Sequence, residues 1–144
     1  MKQYKIETTN EYSSGLIISN IKTYSNDIKI GNKYNTEFDI QVFSQSYSGK
    51  STFTVDVHTL EMFVSELYEM YETMNGSTSI QDISLGSTLS ISIDNLGVFL
   101  FNGVLFDLHK EQSLYFKFEC DQTCIEEMII EIYNDIMIDK IQKI

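Results

Sequence analysis

Phe53-Thr54-Val55-Asp56-Val57-His58-Thr59-Leu60-Glu61-Met62-Phe63-Val64 carries two hydrophobic periods in one run, and the change between them sets the fold class. Up to Val57, apolar Phe53, Val55 and Val57 alternate with Thr52, Thr54 and Asp56. Period two describes a strand with one face buried and one wetted. From Thr59 the apolar residues fall at Leu60, Phe63, Val64, Leu67, Tyr68, Tyr71 and Met74, which makes one helical stripe. The spacing predicts a helix over Thr59–Asn75, with Thr59 as N-cap and Asn75-Gly76 as the stop.

Upstream, Phe38, Ile40 and Val42 alternate with Glu37, Asp39 and Gln41. Across the turn-rich Ser48-Gly49-Lys50 this predicts an antiparallel hairpin. Earlier still, Lys2 to Thr9, Leu16-Ile17-Ile18 and the stretch around Ile28 and Ile30 read as extended, with breaks at Gly15 and Gly31. Downstream, Leu89, Ile91 and Ile93 alternate with serines, and Asn95-Leu96-Gly97 reads as a hairpin turn into an apolar strand, Val98 to Phe106. Asn102-Gly103 within that strand suggests a bulge or bend. Leu114, Phe116, Phe118 and Cys120 form a last strand face. A second helix follows over Thr123–Lys140, with Ile125, Met128, Ile129, Ile132, Tyr133 and Ile136 as its buried stripe. Strands in runs with helices between them predict an α+β fold: an antiparallel sheet with two amphipathic helices packed on one face. Residues 1–144 read as a single domain without repeat or linker, a length at which a chain buries roughly 70% of its unfolded surface.

At the second helix, Thr123 and Glu126 match the S/T-x-x-E capping box, and Asp121 stands ready to cap the same end, where a carboxylate also meets the positive end of the helix dipole. Asp121, Thr123 and Glu126 are therefore expected to be structural.

Composition narrows the function. The chain has no Arg, Pro, Trp or Ala, and its formal net charge is −11. Without Arg there is no planar fork for bidentate phosphate recognition. The charge argues against nucleic acid and anionic membranes as partners and favours steering toward a basic one. It equally serves plain solubility. No apolar run has the length of a signal-peptide core or a membrane span. The pair Cys120 and Cys124 is then expected to be free thiols in a reducing, cytoplasmic setting.

The chemistry of catalysis is not visible. His58, at a strand–helix boundary, and His109, in a turn, are the only histidines, and both read as surface residues. Cys-x-x-x-Cys falls short of a four-ligand zinc site, and there is no Gly-rich phosphate loop. No catalytic residue, metal or cofactor is assigned, and a non-enzymatic binding module is expected. The alternative is a small ligand-binding or regulatory domain with its pocket between sheet and helices.

The strand Leu114-Tyr115-Phe116-Lys117-Phe118 running into Asp121-Gln122-Thr123 and an amphipathic helix resembles the WapI-type immunity proteins. The order of elements upstream agrees, and the resemblance spans roughly residues 35–143. It implies a non-enzymatic inhibitor that binds a polymorphic or contact-dependent bacterial toxin domain, and such domains are often basic because they attack nucleic acids. Glu66, Glu69 and Glu72 are the partner-binding candidates, sharing an exposed helix face, with solvated surface charge as the alternative.

Overall fold

In the computed structural model, which describes residues 2–8 and 13–139, strands dominate and fall into two four-stranded antiparallel sheets. The first is a meander of β1 (Gln3–Glu7), β2 (Gly15–Thr23), β3 (Thr36–Phe43) and β4 (Ser48–Val55), with the short helix α1 (Ser25–Lys29) between β2 and β3. Helix α2 (Val57–Thr73) follows. The second sheet repeats the order with β5 (Ser77–Gln81), β6 (Thr88–Ile93), β7 (Phe99–Phe106) and β8 (Ser113–Cys120), followed by α3 (Gln122–Tyr133) and a π-helical turn, Asn134–Ile138. The fold is α+β with antiparallel pairing throughout. Its strands partition into two sheets, and the four-strands-then-helix order occurs twice, a repeat that leaves no trace in the sequence.

The two helices close the molecule. α2 and α3 pack on each other, α2 lies against β5, and α3 lies against β1. The buried apolar side chains of both sheets and both helices form one core, which includes Phe38, Phe53, Phe99, Phe101, Leu67 and Ile129. The period-two strands β3 and β4 bury Phe38, Ile40, Val42, Phe53 and Val55, as alternation demands. The stripe of α2 buries Leu60, Phe63, Val64 and Leu67, and Met70 joins them. Leu89, Ile91, Phe116, Ile125, Ile129 and Ile132 are buried as well, while Phe118 is half-buried and stacks on Phe101 at 4.7 Å.

Several local expectations change. Ile28 and Ile30 are not in a strand: Tyr24 N–H donates to the Asn35 carbonyl at 2.8 Å and closes the β2–β3 ladder, so residues 25–34 loop outward with no strand to pair, and Ile30 is exposed. Gly15 lies within β2, where a Cβ would strike the Ile6 carbonyl oxygen and the Phe43 ring. Ser48-Gly49-Lys50 is strand, and the turn is Ser44–Tyr47, where the Ser44 hydroxyl accepts from Tyr47 N–H. Gly49 is instead a packing site beneath the Leu114 side chain. No bulge occurs at Asn102-Gly103, because β7 runs in unbroken register with both neighbours. Gly103 is small because the Thr88 carbonyl and the Phe116 ring occupy the space a Cβ would need. The register shift lies in β2, between Ser19 and Lys22, where Asn20 takes a left-handed conformation (φ 57°). The ends of the first strand reading (Thr9) and of the last helix reading (Lys140) lie outside the described residues.

Candidate protein-interaction surface

The start of α2 is built by two polar residues that the periodicity does not single out. Asp56, not Thr59, is the N-cap: its carboxylate accepts from His58 N–H at 2.8 Å. Buried Asn35 accepts from Val57 N–H at 2.8 Å and donates to the Asp56 carboxylate. Thr59 falls inside the first turn, where its own N–H bonds to the Asp56 carbonyl. At the far end Met74 adopts the left-handed conformation and Gly76 follows at φ +112°, which terminates the helix at the predicted place.

At α3 the cap is Asp121. Its Oδ1 accepts from Thr123 N–H at 3.0 Å, Cys124 N–H at 3.2 Å and the Thr123 hydroxyl at 2.6 Å. These bonds, led by the Thr123 hydroxyl, hold Asp121 below the ordinary carboxylate range. The expected capping box is not formed. Thr123 sits two residues past the N-cap position, and Glu126 is engaged elsewhere: the Tyr71 hydroxyl donates to its Oε1 at 2.5 Å. Asp121 won the position because its side chain reaches two backbone N–H groups from the last non-helical residue.

That Tyr71–Glu126 bond joins the outer faces of α2 and α3. Beside it the Tyr68 and Tyr133 rings stack at 4.1 Å. Both tyrosines of α2 are raised above the usual phenol value, Tyr71 by its bond to Glu126 and Tyr68 by its bond to Glu72. Glu66, Glu69 and Glu72 are exposed, as expected, but they divide between the two flanks of α2. Glu66 accepts from the Thr78 hydroxyl at 3.3 Å on the β5 side, while Glu72 lies with the tyrosines on the α3 side. α2 carries Glu61, Glu66, Glu69 and Glu72; α3 carries Glu126, Glu127 and Glu131; neither helix contains a lysine. The packed pair therefore carries seven glutamates spread over its flanks, with Glu66 toward β5 and Glu131 beside Lys2, and it exposes Met62 on α2 and Ile130 on α3.

A second polar cluster anchors this pair from below. Asp135, buried in the π-helical turn, accepts from the Tyr4 hydroxyl at 2.7 Å and pairs with the Lys2 ammonium at 2.6 Å, while Lys2 also reaches Glu131 at 3.4 Å. Burial pushes the Asp135 carboxyl up, but the bonds from Lys2 and Tyr4 together with the Lys2 charge bring it below its ordinary value. Desolvation, and then the bond to Asp135, raise Tyr4 well above the usual phenol range.

The remaining reactive side chains stand apart. His58 is exposed at the start of α2, 3.4 Å from Glu61, and His109 is exposed in a turn at φ 71°. Cys120 and Cys124 are free thiols; burial pushes Cys120 up to about 12, which keeps it a thiol at neutral pH. Among the described residues no three His, Cys, Asp or Glu side chains are grouped to hold a metal, and no helix is long and apolar enough to cross a membrane. The concave surfaces are open ones. A groove of about 160 Å³ lies between the β3–β4 turn and β8, lined by Phe43, Tyr47, Tyr115, Phe116 and Phe118. A polar depression of about 340 Å³ lies between β1 and α3.

No protein-family model matches the chain, and no curated protein matches it. Among solved structures, that of the plant transcriptional regulator PBF-2 aligns with 95% of this chain and 88% of its own, at 9% identity and a TM-score of 0.45.

Proposed function

We propose that this chain is a non-enzymatic inhibitor of the immunity type, which binds a basic toxin domain in the cytoplasm through the outer face of α2 and α3. One observation carries the reading: seven glutamates and no lysine on two helices packed side by side, in a chain of net charge −11. Acidic charge concentrated on two packed helices raises the encounter rate with an oppositely charged surface and biases its orientation. The sequence resemblance to WapI-type immunity proteins points the same way. The charge works against nucleic acid and anionic membranes as partners, because both require positive charge on the protein.

Steering supplies rate and orientation, while affinity needs desolvated contacts. Met62, 63% exposed, and Ile130, 39% exposed, are the apolar side chains available for that role. Co-expression tests the reading. The gene immediately upstream should encode a large secreted protein with a variable C-terminal domain, and the chain should protect cells from that domain. A Glu66→Lys/Glu69→Lys/Glu72→Lys variant, folded by circular dichroism, should fail to protect. Absence of protection by the native chain, or full protection by the variant, would sink it.

A further inference from the structure

The two four-stranded sheets end on four edge strands, β1, β4, β5 and β8. β1 lies against α3, and β5 lies against α2. β4 is closed by the loop after β5: Thr54 N–H donates to the Asp82 carboxylate at 2.8 Å, and the Thr54 carbonyl accepts from Ile83 N–H at 3.0 Å. Asp82 is 1% exposed and also accepts from Ser84 and Leu85 N–H, so this closure is firmly held. β8 pairs with β7 on one side and, among the described residues, has no strand on the other.

The phase of the ladder fixes which groups of β8 face outward. Asp107 N–H donates to the Gln112 carbonyl at 3.0 Å, one step beyond the β7–β8 pairing. Counting by twos from that pair turns the backbone groups of Leu114, Phe116, Phe118 and Cys120 toward β7. Those of Tyr115, Lys117 and Glu119 point away. The other side of β7 agrees, since Val104 and Phe106 N–H are taken by the hydroxyls of Thr88 and Ser87. Tyr115, Lys117 and Glu119 are exposed, and neither Lys117 nor Glu119 has an ion-pair partner among the described residues. This edge borders the open groove that faces Phe43 and Tyr47; a long, regular strand without a partner strand is a template for another, and Lys117 is the one lysine on it.

We infer that β8 pairs antiparallel with β8 of a second copy of this chain, on a two-fold axis through Phe118. The edge is self-complementary in that register. The outward-facing residues must lie opposite each other, which restricts the axis. Centred on Lys117, it brings like charges together. Centred on Phe118, it sets Lys117 opposite Glu119 of the second copy, twice by symmetry, as hydrogen-bonded pairs on the outer face. On the inner face Phe118, half-buried in one chain, meets its own copy and completes the burial that its partner Phe101 already has. The dimer joins two sheets into one continuous sheet, and it rests on β8 alone, independently of the toxin-binding reading.

Sedimentation velocity at physiological salt, where repulsion between two acidic chains is screened, tests the inference. The native chain should sediment as a dimer through the micromolar range. Lys117→Pro removes only an outward N–H, which an edge strand tolerates, so this variant should keep its far-ultraviolet spectrum and become monomeric. Lys117→Glu and Glu119→Lys should each be monomeric alone, because each opposes like charges, and an equimolar mixture of the two should recover the dimer. A monomeric native chain, a dimeric Lys117→Pro variant, or a mixture that stays monomeric would overturn the inference.

Discussion

The Tyr4 hydroxyl donates to the Asp135 carboxylate at 2.7 Å, so that the first strand and the π-helical turn after α3 share a buried hydrogen bond across 131 positions of sequence. Because the acceptor is ionised and largely shielded, the bond belongs to the stronger class. Tyr4→Phe keeps the ring packed and removes only the hydroxyl. It should cost about 1.5–3 kcal/mol in urea unfolding, with an unchanged m-value. A loss below a few tenths would show that the bond is replaced by water.

The same carboxylate makes stability depend on acid. Its folded-state value lies below the unfolded one, so the stabilisation is fully present above the ordinary carboxylate range and is lost as pH falls through the folded value. The native chain should lose stability more steeply than Asp135→Asn as the pH falls below about 4. Parallel curves for the two proteins would remove Asp135 from the explanation.

The cap of α3 separates two neighbouring residues. Asp121→Ala deletes an acceptor shared by two backbone N–H groups and should lower Tm by roughly 2–4 °C. Glu126→Ala, which a capping box would make comparably costly, should leave Tm nearly unchanged, since the side chain's partner is the exposed Tyr71 hydroxyl. Equal losses from both substitutions would restore the capping box.

How much of this was legible follows from the period of each segment. β3, β4, β6, β8 and both long helices announce themselves because one face of each is apolar and the other is not. Asn35 and Asp82 were invisible: one caps α2 from 21 residues before Asp56, and the other closes the β4 edge across 28 residues, and no local pattern encodes such a distance. Glycines misled for the same reason. Gly49 and Gly103 look like turn and bulge residues, yet each makes room for a neighbouring strand's side chain or carbonyl. The acidic candidates Glu66, Glu69 and Glu72 were legible as exposed. Their continuation onto α3 through Glu126 and Glu127 was not, because it depends on how the two helices pack.

Gly103 and Phe116 make that lesson testable. Phe116→Ala empties a buried position against Gly103 and should cost about 3–5 kcal/mol. Gly103→Ala adds one methyl toward the Thr88 carbonyl and should also destabilise, by about 1–3 kcal/mol, whereas a true bulge glycine with open space would accept it. A stable Gly103→Ala protein would mean that the β6–β7–β8 register is wrong.

The most direct test of the central claim is the association rate of the chain with the C-terminal domain of the secreted protein that the account expects to be encoded immediately upstream, measured against salt concentration by stopped-flow fluorescence. If the α2–α3 face steers the encounter, the rate falls steeply as salt rises. For Glu66→Gln/Glu69→Gln/Glu72→Gln it should be about tenfold slower at low salt and should converge on the native rate at high salt. A rate indifferent to salt, or a variant that associates as fast as the native chain at low salt, would contradict the account.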